Sequence, residues 1–164
     1  MDFVDFLVEA KKNTYASEKR AEKVDDQIRR FIYESREHTY TDIWTMSDDE
    51  RRFFGCEIVL KDDGRKWFMQ YNGGLTPDCP INLKDNTYAF LRRALSSVNN
   101  KFPFRGPMSF GDKRENLTYY CEVKGNVDEF RGRESIFTTK NDDERTSVVL
   151  YGLEFMGGFL DGRN

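Results

Sequence analysis

The stretch Phe53-Phe54-Gly55-Cys56-Glu57 returns later in the chain as Phe130-Arg131-Gly132-Arg133-Glu134. A threonine stands twelve positions before the first phenylalanine in both places, Thr41 in one and Thr118 in the other. The shared pattern is T-x11-F-x-G-x-E. Downstream, each copy continues into an alternating run, Ile58-Val59-Leu60 or Ser135-Ile136-Phe137. A polar turn follows, Asp62-Asp63-Gly64 or the longer Asn141 to Arg145, and then a second run, Trp67 to Tyr71 or Val148 to Tyr151. Alternating runs joined by short polar turns predict antiparallel hairpins. Each copy ends near a glycine pair, Gly73-Gly74 or Gly157-Gly158, which reads as a turn needing positive φ. Upstream, each copy carries an FLxxA segment, Phe6 to Ala10 or Phe90 to Ala94.

The two FLxxA segments sit on helical stripes. Phe3, Phe6, Leu7 and Ala10 recur at three and four residues, as do Phe90, Leu91, Ala94, Leu95 and Val98, with Asn86 as a cap and Pro103 beyond the end. The strands predicted in the first half are Phe31 to Ser35, Thr39 to Met46, Phe53 to Leu60 and Arg65 to Tyr71. Those in the second half are Ser109 to Phe110, Leu117 to Val123, Glu129 to Thr138 and Thr146 to Leu153. The expected fold is therefore α+β: a tandem duplication of a helix plus a four-strand antiparallel unit, with the sheet covered by two helices. The whole chain, 1–164, forms one domain, with repeats at about 3–74 and 86–158. The segment 16–30 has no counterpart in the second half. Ala21, Val24, Ile28 and Phe31 recur there among mixed charges, which predicts an inserted, charged amphipathic helix.

Composition bounds the function. A chain of 164 residues, 38% apolar, is long enough for one sizeable core, and 34% charged residues solvate its surface. A net charge of -3 without a long basic run argues against direct nucleic-acid binding held by phosphate contacts. The start, MDFVDFLVEAKK, is acidic and amphipathic, and no segment approaches the span of a membrane helix, so neither secretion nor a membrane is expected. Cys56, Cys79 and Cys121 are odd in number and lack CxxC spacing, which suits free thiols in the cytoplasm. His38 is the only histidine, so no multi-histidine metal centre exists, and no phosphate-binding glycine motif indicates a nucleotide cofactor. Neither metal nor cofactor is expected.

The run Phe104-Arg105-Gly106-Pro107, followed by Leu117-Thr118-Tyr119, Phe130 to Glu134 and Leu150-Tyr151-Gly152, resembles a bacterial and archaeal family catalogued as domain of unknown function 5680. FLVEAKKNTYAS near the start and Met69-Gln70-Tyr71-Asn72-Gly73-Gly74 fit it too. The resemblance covers nearly the whole chain outside Glu18 to Arg29. It implies a domain that stands alone or follows a helix-turn-helix domain in regulators, and it brings no catalytic residues. Only two helical stretches are expected before Phe31, without a helix-turn-helix.

Glu57 and Glu134 are the first candidate site residues. In a strand, Phe130, Gly132, Glu134 and Ile136 share one face while Arg131, Arg133 and Ser135 share the other. Glu134 therefore belongs to the covered face, and Glu57 sits equivalently beside Phe53 and Val59. An inward carboxylate needs a partner or a wet pocket. Arg105, between Pro103 and Pro107, is a candidate partner, through a salt bridge or as an anion clamp. Trp67 and Tyr71 alternate onto one face, as does Tyr151 in the other half; these rings serve as core or line a ligand.

The expected function is a non-catalytic binding or sensing module for a small molecule, with Glu57, Glu134, Trp67, Tyr71, Arg105 and Tyr151 as ligand-binding candidates. One alternative is a small hydrolase or isomerase using a Glu57/Glu134 acid-base pair. The other is a protein-interaction scaffold without a pocket. The sequence names neither the ligand nor the oligomeric state.

Overall fold

A computed structural model describes residues 1–17, 19–112, 114–138 and 147–160. Among these residues nine antiparallel strands form one continuous sheet. In chain order they are β1 (Glu22–Lys23), β2 (Ile28–Ser35), β3 (His38–Met46), β4 (Arg52–Lys61), β5 (Lys66–Leu75), β6 (Ser109–Asp112), β7 (Leu117–Asn126), β8 (Glu129–Thr138) and β9 (Val149–Phe159). Their order across the sheet is β1-β2-β3-β4-β5-β9-β8-β7-β6. The other elements of the described residues are two helices, α1 (Phe3–Lys12) and α2 (Lys84–Leu95), and a 3-10 turn at Ile81–Leu83. No helix among the described residues is long and apolar enough to cross a membrane.

The α+β expectation is corrected by this arrangement. The molecule is mostly β, and its two short helices contain 10 and 12 residues. A repeated helix-plus-four-strand unit covered by two helices does not describe it. The strands join through β5 and β9 into one ladder from Trp67–Phe159 to Leu75–Tyr151, so the sheet is one body. Its two ends also differ: β1 has two residues, whereas β6 has four. The helices leave gaps in the covering layer, and loop residues such as Phe104 and Arg105 close them, both buried. Matched motifs record local alternation, which antiparallel strands share whatever their global arrangement.

The inserted helix over 16–30 is likewise corrected. This segment contributes β1 and the start of β2, at the edge of the sheet. Asp25 Oδ1 accepts from the backbone N–H groups of Gln27 and Ile28, both at 2.7 Å, which turns the chain between the two strands. Arg30 Nε reaches Glu22 Oε2 at 2.9 Å across them. Of the apolar stripe that suggested a helix, Val24 is 46% exposed, whereas Phe31 is buried from β2 with its ring 5.3 Å from that of Trp44. The turn expected over Asn141 to Arg145 lies outside the described residues.

The glycine pairs lie inside strands β5 and β9 instead of turns. Gly74 nevertheless has φ +140° and Gly158 +151°. Alternation along β3, β4, β5, β7, β8 and β9 sends Tyr40, Val59, Trp67, Met69, Tyr119, Ile136 and Leu153 to one face, where α1, α2 and the loops bury them. The opposite face carries Phe54, Gln70, Lys124, Arg131 and Met156 and lies open.

Candidate functional site

The covered face is not purely apolar. Asp2 caps α1 by accepting from the Phe3 N–H at 2.7 Å. The helix then seats Phe3, Leu7 and Lys11 along one side at four-residue spacing. Lys11 thus enters the core, where its Nζ donates to Glu57 Oε2 and to the Phe104 carbonyl, each at 2.5 Å. Both side chains of this ion pair are fully buried. Burial pushes the Lys11 ammonium below its ordinary value, and the adjoining Glu57 opposes that shift.

Arg105 occupies the neighbouring position. Its Nε and Nη2 donate to Glu134 Oε1 at 3.2 and 3.0 Å. Tyr151 Oη donates to the same oxygen at 2.9 Å, and Tyr119 Oη donates to Oε2 at 2.7 Å. The Gly106 N–H in turn donates to Tyr119 Oη at 3.1 Å, so the loop carrying Arg105 is pinned to the sheet. Arg105 Nη1 lies 3.8 Å from Glu57 Oε1 and links the two carboxylates. The Tyr15 and Tyr71 rings lie 5.3 and 5.1 Å from the guanidinium. Burial alone would lower the pKa of Arg105, but Glu134, Tyr15, Tyr151 and Glu57 raise it well above its ordinary value.

Asp42 completes the set. The β3–β4 register places it directly opposite Glu57. Burial, then repulsion from Glu57, pushes its carboxyl up to about 7. Tyr71 Oη donates to Asp42 Oδ1 at 2.6 Å. That bond spans β4, because Tyr71 on β5 must pass over Gly55 to reach β3. A Cβ at Gly55 would sit 2.5 Å from the Tyr71 hydroxyl. The glycine of F-x-G-x-E is therefore the opening through which an aromatic ring crosses its neighbour; at Gly132 the crossing ring is Phe155.

Three buried polar atoms in this cluster have no hydrogen-bond partner among the described residues: Tyr15 Oη, Tyr40 Oη and Glu57 Oε1. Buried polar atoms are normally paired, so such a concentration calls for a cause. Burial raises both Tyr15 and Tyr40 well above the ordinary value, and Glu57 and Asp42 add to the rise in each, so both hydroxyls feel the same two carboxylates. Two of the three atoms can donate and one can only accept.

Five of the six residues singled out from the sequence, Glu57, Glu134, Tyr71, Arg105 and Tyr151, meet in this cluster. Trp67 forms part of its wall: its Nε1 donates to the Val127 carbonyl at 2.9 Å, and its ring lies 5.9 Å from Lys11 Nζ. His38 stacks on Phe6 at 4.6 Å, away from the cluster on β3. Lys11, Tyr15 and Tyr119 lie inside quoted motifs but, like Tyr40 and Asp42, are not among the site residues that the sequence singles out. A signal for the first two exists, since Leu7, Lys11 and Tyr15 continue the four-residue spacing of α1. Alternation from Tyr40 also puts Asp42 inward. No group of His, Cys, Asp and Glu among the described residues is placed to hold a metal ion.

The model of a family described as a domain of unknown function (DUF5680) matches residues 42–160. No curated protein and no solved structure matches the chain.

Proposed function

The chain belongs to the DUF5680 family, and from that premise we propose that it is a binding module for a small, uncharged polar molecule, taken up in the compartment between α1, the loop at 102–107 and the sheet. The observation that carries this reading is three buried atoms without a hydrogen-bond partner among the described residues, Tyr15 Oη, Tyr40 Oη and Glu57 Oε1, of which the last has only the Arg105 guanidinium at 3.8 Å. Lys11 and Arg105 already face Glu57 and Glu134, so the compartment asks for hydrogen bonds more than for charge. The occupant would accept from the tyrosines and donate to Glu57, as a small polyol, amide or hydroxy compound does. Tyr15, half-buried with its hydroxyl inside, stands between compartment and solvent. Three unpaired cysteines suit a reducing compartment, the cytoplasm.

A second reading is a small isomerase or hydrolase. Asp42, titrating at about 7 and facing Glu57, would be its acid-base partner. Glu134 is a poor candidate for that work, since Arg105, Tyr119 and Tyr151 occupy both its oxygens.

The test is a thermal-shift panel of small polyols, simple amides and neutral hydroxy compounds against the wild type and Tyr40→Phe, which leaves the Lys11–Glu57 pair intact. A ligand at one hundred times its Kd adds about 2.7 kcal/mol. At least one class should raise the wild-type Tm and leave the variant unmoved. A panel that moves neither protein, or both equally, overturns the reading.

A further inference from the structure

The uncovered face of the sheet carries a second, independent feature. Strands β4, β5, β9, β8 and β7 form the floor of an open groove of about 840 Å³. Two rows of side chains cross it. In one row, Glu122 is paired with Arg133, and Arg133 stands opposite Glu154 on its other side. Positive and negative charges alternate there, as cross-strand pairing favours.

The adjacent row breaks that rule. Lys124 stands directly opposite Arg131 in the β7–β8 register. Both side chains are exposed on the groove, and neither has an ion pair or hydrogen bond among the described residues. Like charges directly opposite destabilise a sheet, and this pair has no acidic neighbour in its own row. Arg131 is followed across β9 by Met156, and Met156 across β5 by Gln70. The row thus runs from two cations over a thioether to an amide. With strands about 4.8 Å apart, the path from Arg131 to Gln70 is about 10 Å long.

We propose that this row is a binding site for a small aromatic carboxylate, whose carboxylate lies between Lys124 and Arg131, whose ring lies on Met156, and whose far polar group meets Gln70. A carboxylate between the two cations turns their mutual repulsion into attraction, and guanidinium matches carboxylate geometry. A thioether against an aromatic ring is a favourable contact. The site is separate from the covered compartment, because alternate residues of the same strands point to opposite faces.

The probe is 6-hydroxy-2-naphthoate, fluorescent, anionic at one end and hydroxylated at the other, titrated into the full chain. Saturable binding is expected, weakening as salt rises and at least tenfold weaker in Lys124→Gln and in Arg131→Gln. Lys124→Gln should keep or raise the Tm of the unliganded protein, which shows that lost binding is not lost folding. Tyr40→Phe, which keeps every ion pair of the covered compartment, should leave this titration unchanged, separating the groove from that compartment. Absence of saturable binding by the wild type overturns the proposal. So does equal binding by the Lys124→Gln/Arg131→Gln double variant, or equal binding of the neutral analogue 2-naphthalenemethanol.

Discussion

Lys11 Nζ lies 2.5 Å from Glu57 Oε2, and neither side chain is reached by solvent. The pair joins the last turn of α1 to the middle of β4, so the helix is held to the sheet by charge as well as by Phe6 and Leu7.

Removing one member of such a pair leaves the other charge buried and alone. Lys11→Met is expected to destabilise by about 3 to 5 kcal/mol, while the double variant Lys11→Met/Glu57→Leu recovers part of that loss. Urea melts of the two variants check this, and a single variant as stable as the wild type would deny the pair its place in the core.

Asp42 makes stability depend on pH, and the sign is fixed. Its carboxyl rises from 3.8 to about 7 on folding, so the native state holds a proton that the unfolded state has released. Stability from this group is therefore lost as pH rises from about 4 to 7. Asp42→Asn keeps an acceptor for Tyr71 and cannot titrate. Relative to the wild type, it should be more stable at pH 8 than at pH 5 in denaturant melts; equal differences at the two values would mean that Asp42 titrates normally.

Gly74 lies at φ +140° with a Cβ position running into the Arg51 carbonyl. Gly74→Ala should cost at least about 1 kcal/mol, from backbone strain and from the displaced strand β4. A thermal melt indistinguishable from the wild type would contradict that packing.

Strand positions were legible because antiparallel alternation is a local signal. Arg52–Lys61 and Glu129–Thr138 fall where Phe53 to Leu60 and Glu129 to Thr138 were expected. The single sheet was not legible, because the β5–β9 pairing joins residues such as Tyr71 and Phe155, far apart in sequence. Residues 22–30 misled for a different reason: Val24 and Ile28 repeat at helical spacing, but a two-residue strand at a sheet edge needs no pattern of its own. Within the cluster, Glu57 and Glu134 announced themselves as carboxylates among apolar neighbours. Lys11 did not, because a lysine in the last turn of a helix is ordinarily read as a favourable cap for the dipole.

Tyrosines separate the partnered part of the cluster from the unpartnered part. Tyr119→Phe and Tyr151→Phe each remove a hydrogen bond to the charged Glu134 and should cost about 1.5 to 3 kcal/mol in urea melts. A neutral result for both would mean that Glu134 does not depend on those hydroxyls.

At Tyr40 a binding compartment and an ordinary core part company, because its hydroxyl is wholly buried and has no hydrogen-bond partner among the described residues. If that hydroxyl is kept to meet a ligand, its burial is a cost in the unliganded protein, as is usual where function is bought with stability. The measurement is the stability of Tyr40→Phe against the wild type, both without ligand, by urea denaturation. A hydroxyl kept for a ligand makes the variant more stable, by about 1 kcal/mol or more; a loss of about 1 kcal/mol or more rules that role out, because the hydroxyl would then be a partnered part of the core.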